Sequence, residues 1–132
     1  MKCLIAEDHL LSRRILKELL SSTADCDIAV NGQEAIDSFV LAHQSKRPYE
    51  VIFMDIMMPQ VDGLEAVRQI RAIEKKMELP PQLAVKVIIT TALDDPRTVI
   101  KSFKECEADS YIVKPISRHK LANELRSLKL IE

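Results

Sequence analysis

Val51-Ile52-Phe53-Met54 is a run of four large apolar residues that ends in Asp55, with Pro59 and Gly63 close behind. The run is too short for a helix and suits a strand buried on both faces of a sheet. Pro59 and Gly63 then turn the chain away. A fully buried strand whose last residue is Asp55 sets that carboxylate at the carboxyl edge of the sheet. In open α/β sheets this edge is where ligands bind.

The flanking sequence repeats the pattern. Lys2–Ala6 is a short apolar run closed by Glu7 and Asp8. Leu11, Ile15 and Leu19, with Leu16 and Leu20, recur at helical spacing, and Ser21-Ser22-Thr23 breaks that helix. Cys26–Val30 alternates like a strand. Asn31-Gly32-Gln33-Glu34 reads as a capping box before a helix that buries Ala35, Ile36, Phe39 and Val40. After the central strand, Asp62 to Glu65 can cap a third helix with Ala66, Val67, Ile70 and Ile73 on its inner side. A surface loop reaches about Ala84.

Lys86–Thr91 is a fourth strand. Asp95-Pro96 starts a helix in which Val99, Ile100, Phe103 and Cys106 form the inner stripe. Ser110–Val113 is a fifth strand, and Ser117 caps a last helix with Leu121, Leu125 and Leu128 inward. Strand and helix thus alternate five times, which implies an α/β fold: a doubly wound parallel sheet with helices on both faces. The 132 residues suit one domain, 1–132.

Composition narrows the function. The formal net charge is −1, so there is no basic footprint for nucleic acid. No run approaches the roughly 18 apolar residues of a membrane span. The first residues meet Glu7 and Asp8 too early for a signal peptide, and the expected location is cytoplasmic. Cys3, Cys26 and Cys106 lack metal-ligand spacing and an even count, and read as buried free thiols. His9, His43 and His119 are isolated.

The strand ends carry the chemistry. Glu7, Asp8, Asp55, Thr91 and, one step beyond the fifth strand, Lys114 converge at one edge of a parallel sheet. Three carboxylates within ~5 Å repel one another by a few kcal/mol per pair at an effective dielectric of about 20. A cation, or protonation, relieves this, and for a cation the all-oxygen donor set points to Mg²⁺, with Mn²⁺ tolerated. A divalent ion beside a carboxylate, a hydroxyl and an ammonium can handle a phosphoryl group, with Asp55 as nucleophile.

Glu7-Asp8, Asp55 followed by Met57-Met58-Pro59 and Asp62-Gly63, Thr91-Ala92, and Tyr111 to Lys114-Pro115 together resemble the receiver domain of two-component response regulators, similar to the chemotaxis regulators. The match runs from about Lys2 to Leu128. It implies the flavodoxin-like (βα)5 fold with strand order 2-1-3-4-5 and a cis peptide between Lys114 and Pro115. It implies phosphorylation of Asp55 from a histidine kinase or a histidine phosphotransfer protein. Mg²⁺ would be held by Glu7, Asp8, Asp55 and the carbonyl of Met57, with Glu7 acting through water.

By the same resemblance Thr91 and Tyr111 form the switch. They reshape the face of the last two helices and fifth strand, which would meet an effector, an attached output domain or a second copy of the chain. Such a domain catalyses only its own phosphorylation and dephosphorylation. Met57 and Leu93 stand where the family influences attack by water, and two apolar side chains there are expected to lengthen the phosphorylated lifetime. Glu107 stands where the family commonly has Gly.

Readings from other classes fit less well. A haloacid-dehalogenase-type phosphatase needs a second Asp two residues after the first, where this chain has Met57. A flavodoxin-like binding module needs a Ser/Thr/Gly-rich first loop. A degenerate receiver acting only as a scaffold would not need every pocket residue.

Overall fold

Alternation of side chains across each strand builds two apolar layers from one sheet. In the computed structural model, which describes residues 1–56, 58, 61–92, 97 and 104–132, β1 (Lys2–Ala6) sends Leu4 and Ala6 to one face and Cys3 and Ile5 to the other. β3 (Val51–Asp55) does the same with Ile52 and Met54 against Val51 and Phe53, and all five of its residues are buried. β2 (Asp25–Ala29), β4 (Lys86–Thr91) and β5 (Ser110–Val113) complete a sheet of order β2-β1-β3-β4-β5. Every pairing in it is parallel. This is the flavodoxin-like, doubly wound fold. The second strand begins and ends one residue earlier than its alternation suggests, because Asp25 pairs with Lys2.

Helices α1 (Leu10–Leu20), α2 (Gly32–Gln44), α3 (Gly63–Lys76) and α4 (Arg118–Ser127) follow their strands. Buried residues of α2 and α3 (Ala35, Ile36, Phe39, Ala66, Val67, Ile70) cover the Leu4–Met54 face. Leu16 and Leu20 of α1 and Leu121 and Leu125 of α4 cover the other. Asn31, Asp62 and Ser117 cap their helices as expected. They accept from the N–H groups of Glu34 (2.8 Å), Glu65 (2.9 Å) and Lys120 (3.1 Å). Asp95, Pro96, Val99, Ile100 and Phe103 lie outside the described residues; Cys106 is buried as expected. The loop before Ala84 contains a 3-10 turn, Pro81–Leu83. Lys114–Pro115 is cis.

The sheet covers only part of the apolar surface of α1. Leu16 and Leu20 are buried, but Leu11 and Ile15 are 61% and 44% exposed, and Leu10 is 54% exposed. The helix carries leucine and isoleucine around more than half its circumference, and the sheet covers only one side.

The chain's two glycines stand at close backbone approaches. A Cβ on Gly32 would lie 1.9 Å from the Val61 carbonyl oxygen, and one on Gly63 2.0 Å from the Asp55 carbonyl oxygen. Left-handed turns fall instead to Lys46, Glu78, Glu107 and Lys129, with φ of 60°, 56°, 58° and 60°. After α4, Lys129 N–H donates to Arg126 O and Leu130 N–H to Leu125 O (both 2.9 Å), a Schellman ending without glycine. Lys129→Gly is therefore expected to raise stability by about 0.5–1 kcal/mol, relief of the Cβ clash exceeding the added chain entropy. A urea-denaturation midpoint reads the change.

Candidate acidic pocket at the carboxyl edge of the sheet

The strands deliver the expected groups to one place. Glu7 and Asp55 are buried and Asp8 is exposed, and one oxygen from each of the three lies within 4.8 Å of the others. Lys114, entering from beyond β5, sets its Nζ 2.5 Å from Glu7 Oε1 and 3.6 Å from Asp55 Oδ2. Its own N–H donates to Thr91 O at 2.6 Å, tying the end of β5 to the end of β4. Thr91 is buried. Tyr111 pairs with Ile89 and Val113 with Thr91. Tyr111 therefore lies two residues back on the same face of the sheet as Thr91, and it is 38% exposed. Met57 and Leu93 lie outside the described residues.

The turn from β1 into α1 adds groups that the sequence reading passed over. His9 N–H donates to Glu7 Oε2 (3.3 Å), and Arg13 Nη1 donates to the carbonyls of Glu7 (3.4 Å) and Asp8 (3.3 Å). Arg13 lies one turn into α1, and its six-residue separation from Glu7 matches no helical spacing that could have signalled it. Beside the acids is a cavity of about 340 Å³ lined by Glu7, Ser12, Ile15, Leu16, Thr90 and Lys114, among others.

Burial pushes the Glu7 carboxyl up. The hydrogen bonds with Asp55 and Lys114 and the Lys114 ammonium outweigh it, and the net pKa falls below the ordinary 4.5. A depressed carboxyl pKa contributes stability above the unfolded value, and that contribution disappears as pH drops through the folded value. In the metal-free protein, the Glu7 side-chain carbonyl resonance is expected to titrate below pH 4.5, with stability declining over the same interval.

Hard oxygen donors at this spacing suit a divalent cation such as Mg²⁺. Together, fold and pocket define a doubly wound α/β domain with a strand-end aspartate set among two further acids and a lysine. The model of the response regulator receiver domain matches residues 3–126, and the chain belongs to that family, the receiver domains of two-component signalling. The transcriptional regulatory protein ResD of Bacillus subtilis is 35% identical over 128 residues, covering 96% of this chain and 47% of ResD. A probable transcriptional regulator, ycf27, of Cyanophora paradoxa is 34% identical over 128 residues, again 96% of this chain and 47% of the relative. The chain thus spans about half the length of these curated relatives. Among solved structures, the receiver domain of the Saccharomyces cerevisiae response regulator Ssk1, co-crystallised with the histidine phosphotransfer signalling protein Ypd1, superposes with a TM-score of 0.79. It is 27% identical, over 94% of this chain and 85% of that one.

Proposed function

We propose that residues 1–132 form a single receiver domain acting as a phosphoacceptor switch. Asp55 takes a phosphoryl group from the phosphohistidine of a histidine kinase or phosphotransfer protein. The observation that carries this reading is the convergence of Glu7, Asp8, Asp55 and Lys114 from three strand ends.

In this reading an Asp55 carboxylate oxygen attacks phosphorus, the N–P bond of the donor breaks, and the imidazole leaves as the O–P bond forms. Asp8, Asp55 and the Met57 carbonyl, with Glu7 through water, would hold Mg²⁺, which would supply positive charge for the phosphoryl oxygens. Lys114 already sits 3.6 Å from Asp55 and can turn its ammonium from Glu7 to the new phosphoryl group. Thr91 supplies a hydroxyl at the neighbouring strand end. Its movement toward the phosphoryl group would draw Tyr111 inward and reshape the face that includes β5 and α4. That face is where an effector, an attached output domain or a second copy of the chain would read the change. Ile15, which lines the cavity beside the acids, and the exposed Leu10 and Leu11 of the same helix suit an apolar contact with the donor protein. The Ypd1–Ssk1 pairing supports a donor of this kind. In this reading the domain is a signalling module whose only chemistry is on itself.

The test is intact mass after incubation with acetyl phosphate and Mg²⁺. Wild type is expected to gain about 80 Da, one phosphoryl group, and Asp55→Asn to gain nothing. EDTA should abolish the gain. A gain in both proteins would assign the nucleophile to another residue. No gain in either, with a phosphohistidine donor also failing, would leave a scaffold that does not signal by phosphate.

A further inference from the structure

Cys3 and Cys26 are register partners on the paired parallel strands β1 and β2. Register partners on adjacent strands have backbones about 4.8 Å apart, within the roughly 4.4–6.8 Å range of Cα separations that a disulfide bridges. Both side chains belong to the same apolar layer, and each thiol shifts the pKa of the other, Cys3 upward and Cys26 downward. Cys3 is fully buried, whereas Cys26 is partly exposed on a strand paired along one side only. An edge strand can move the small distance that S–S closure requires.

We propose that Cys3 and Cys26 form a site of reversible oxidation, closing a disulfide between β1 and β2 in response to hydrogen peroxide. Cys26 is the attacking thiol. Solvent reaches it, and the neighbouring Cys3 thiol, with help from Lys17, holds its pKa below the ordinary value despite burial and the opposing charges of Asp25 and Asp27. Its thiolate attacks one peroxide oxygen, the O–O bond breaks, and Cys26 becomes a sulfenic acid as hydroxide leaves. Cys3 is the resolving thiol. The neighbouring Cys26 thiol, together with burial, keeps it protonated. Its sulfur attacks the Cys26 sulfur, the S–O bond breaks, and the departing hydroxide takes the Cys3 proton as water. The proton that Cys26 gave up on ionising neutralises the first hydroxide, so two thiols and one hydrogen peroxide yield one disulfide and two waters, a two-electron oxidation. Cys106 is buried and, lying beyond β4 before β5, is remote from the pair, so it serves as an internal control.

The reduced full chain is treated with a small excess of hydrogen peroxide, unfolded, alkylated with iodoacetamide and weighed intact. The expected product is about 2 Da lighter before alkylation and has one thiol left to alkylate. Dithiothreitol should restore all the thiols. Cys26→Ser should give no product. Cys3→Ala, a small apolar replacement that suits the core, should stop at a Cys26 oxygen adduct. Oxygen addition at Cys26 in wild type without the 2 Da loss would overturn the proposal, as would a disulfide only between molecules, or full alkylation.

Discussion

Arg71→Met is expected to destabilise the protein by about 3–5 kcal/mol, the cost typical of removing one partner from a buried ion network. Arg71 and Glu74, on successive turns of α3, are 9% and 5% exposed. Four of the five guanidinium N–H donors are used. Nε donates to Glu107 O (3.0 Å). Nη1 donates to Glu74 Oε1 and to Val85 O, and Nη2 to Asp109 Oδ2, all at 2.8 Å. The two acids also accept from the backbone: Glu74 Oε2 from Val85 N–H (2.7 Å) and Asp109 Oδ2 from Val87 N–H (2.8 Å). The network stitches α3 to the chain entering β4 and β5, at the sheet edge opposite the acidic pocket. Methionine fills much of the stem volume but leaves Glu74 buried without a counter-charge. Arg71→Met/Glu74→Leu should therefore recover part of the loss, because apolar replacement of a whole buried pair is far less costly than halving it. Urea midpoints of the single and double variants measure both effects. A loss below about 1 kcal/mol for the single variant would show the network to be solvated in practice.

Gly63→Ala is expected to cost at least about 3 kcal/mol and to slow phosphorylation of Asp55. The added Cβ would sit 2.0 Å from the Asp55 carbonyl oxygen, 2.8 Å from its carbon and 2.9 Å from Ile56 Cα. These are backbone atoms of the buried central strand and its exit, so no side chain can swing aside. The start of α3 must retreat, which strains the Gly63 N–H bond to Ile56 O (3.1 Å) and the Asp62 cap. Either movement disturbs the backbone that aims Asp55. Stability comes from urea denaturation, and the rate of acetyl-phosphate labelling, taken where the variant is folded, reads the site. Unchanged stability would mean that the helix start tolerates the shift.

Much of the pocket was legible because each contributing group sits at the end of a strand that its own composition declares. Glu7, Asp8, Asp55, Thr91 and Lys114 follow apolar runs, and parallel pairing alone then gathers the acids and the lysine. The caps Asn31, Asp62 and Ser117 were legible for the same local reason. Arg71 and Glu74 were not. In sequence they are an i,i+3 ion pair of the kind that covers solvated helix faces. Their burial depends on Val85 and Asp109, which arrive 14 and 38 residues later than Arg71. Helical spacing placed α1 but could not say which of its two adjacent apolar stripes the sheet covers. The juxtaposition of Cys3 and Cys26 depends on strand register, and spacing along the chain carries no trace of it.

The Lys114–Glu7 ion pair joins residues 107 positions apart. Contacts of such long range form late, because most of the intervening chain must be ordered before they can close. On a ribosome, the acids of β1 and β3 emerge well before the lysine that balances them. A nascent chain can therefore hold Asp55 without holding a working pocket. Under the proposed function, competence to accept phosphate would then coincide with the docking of β5, so that the domain would not signal before its sheet is complete.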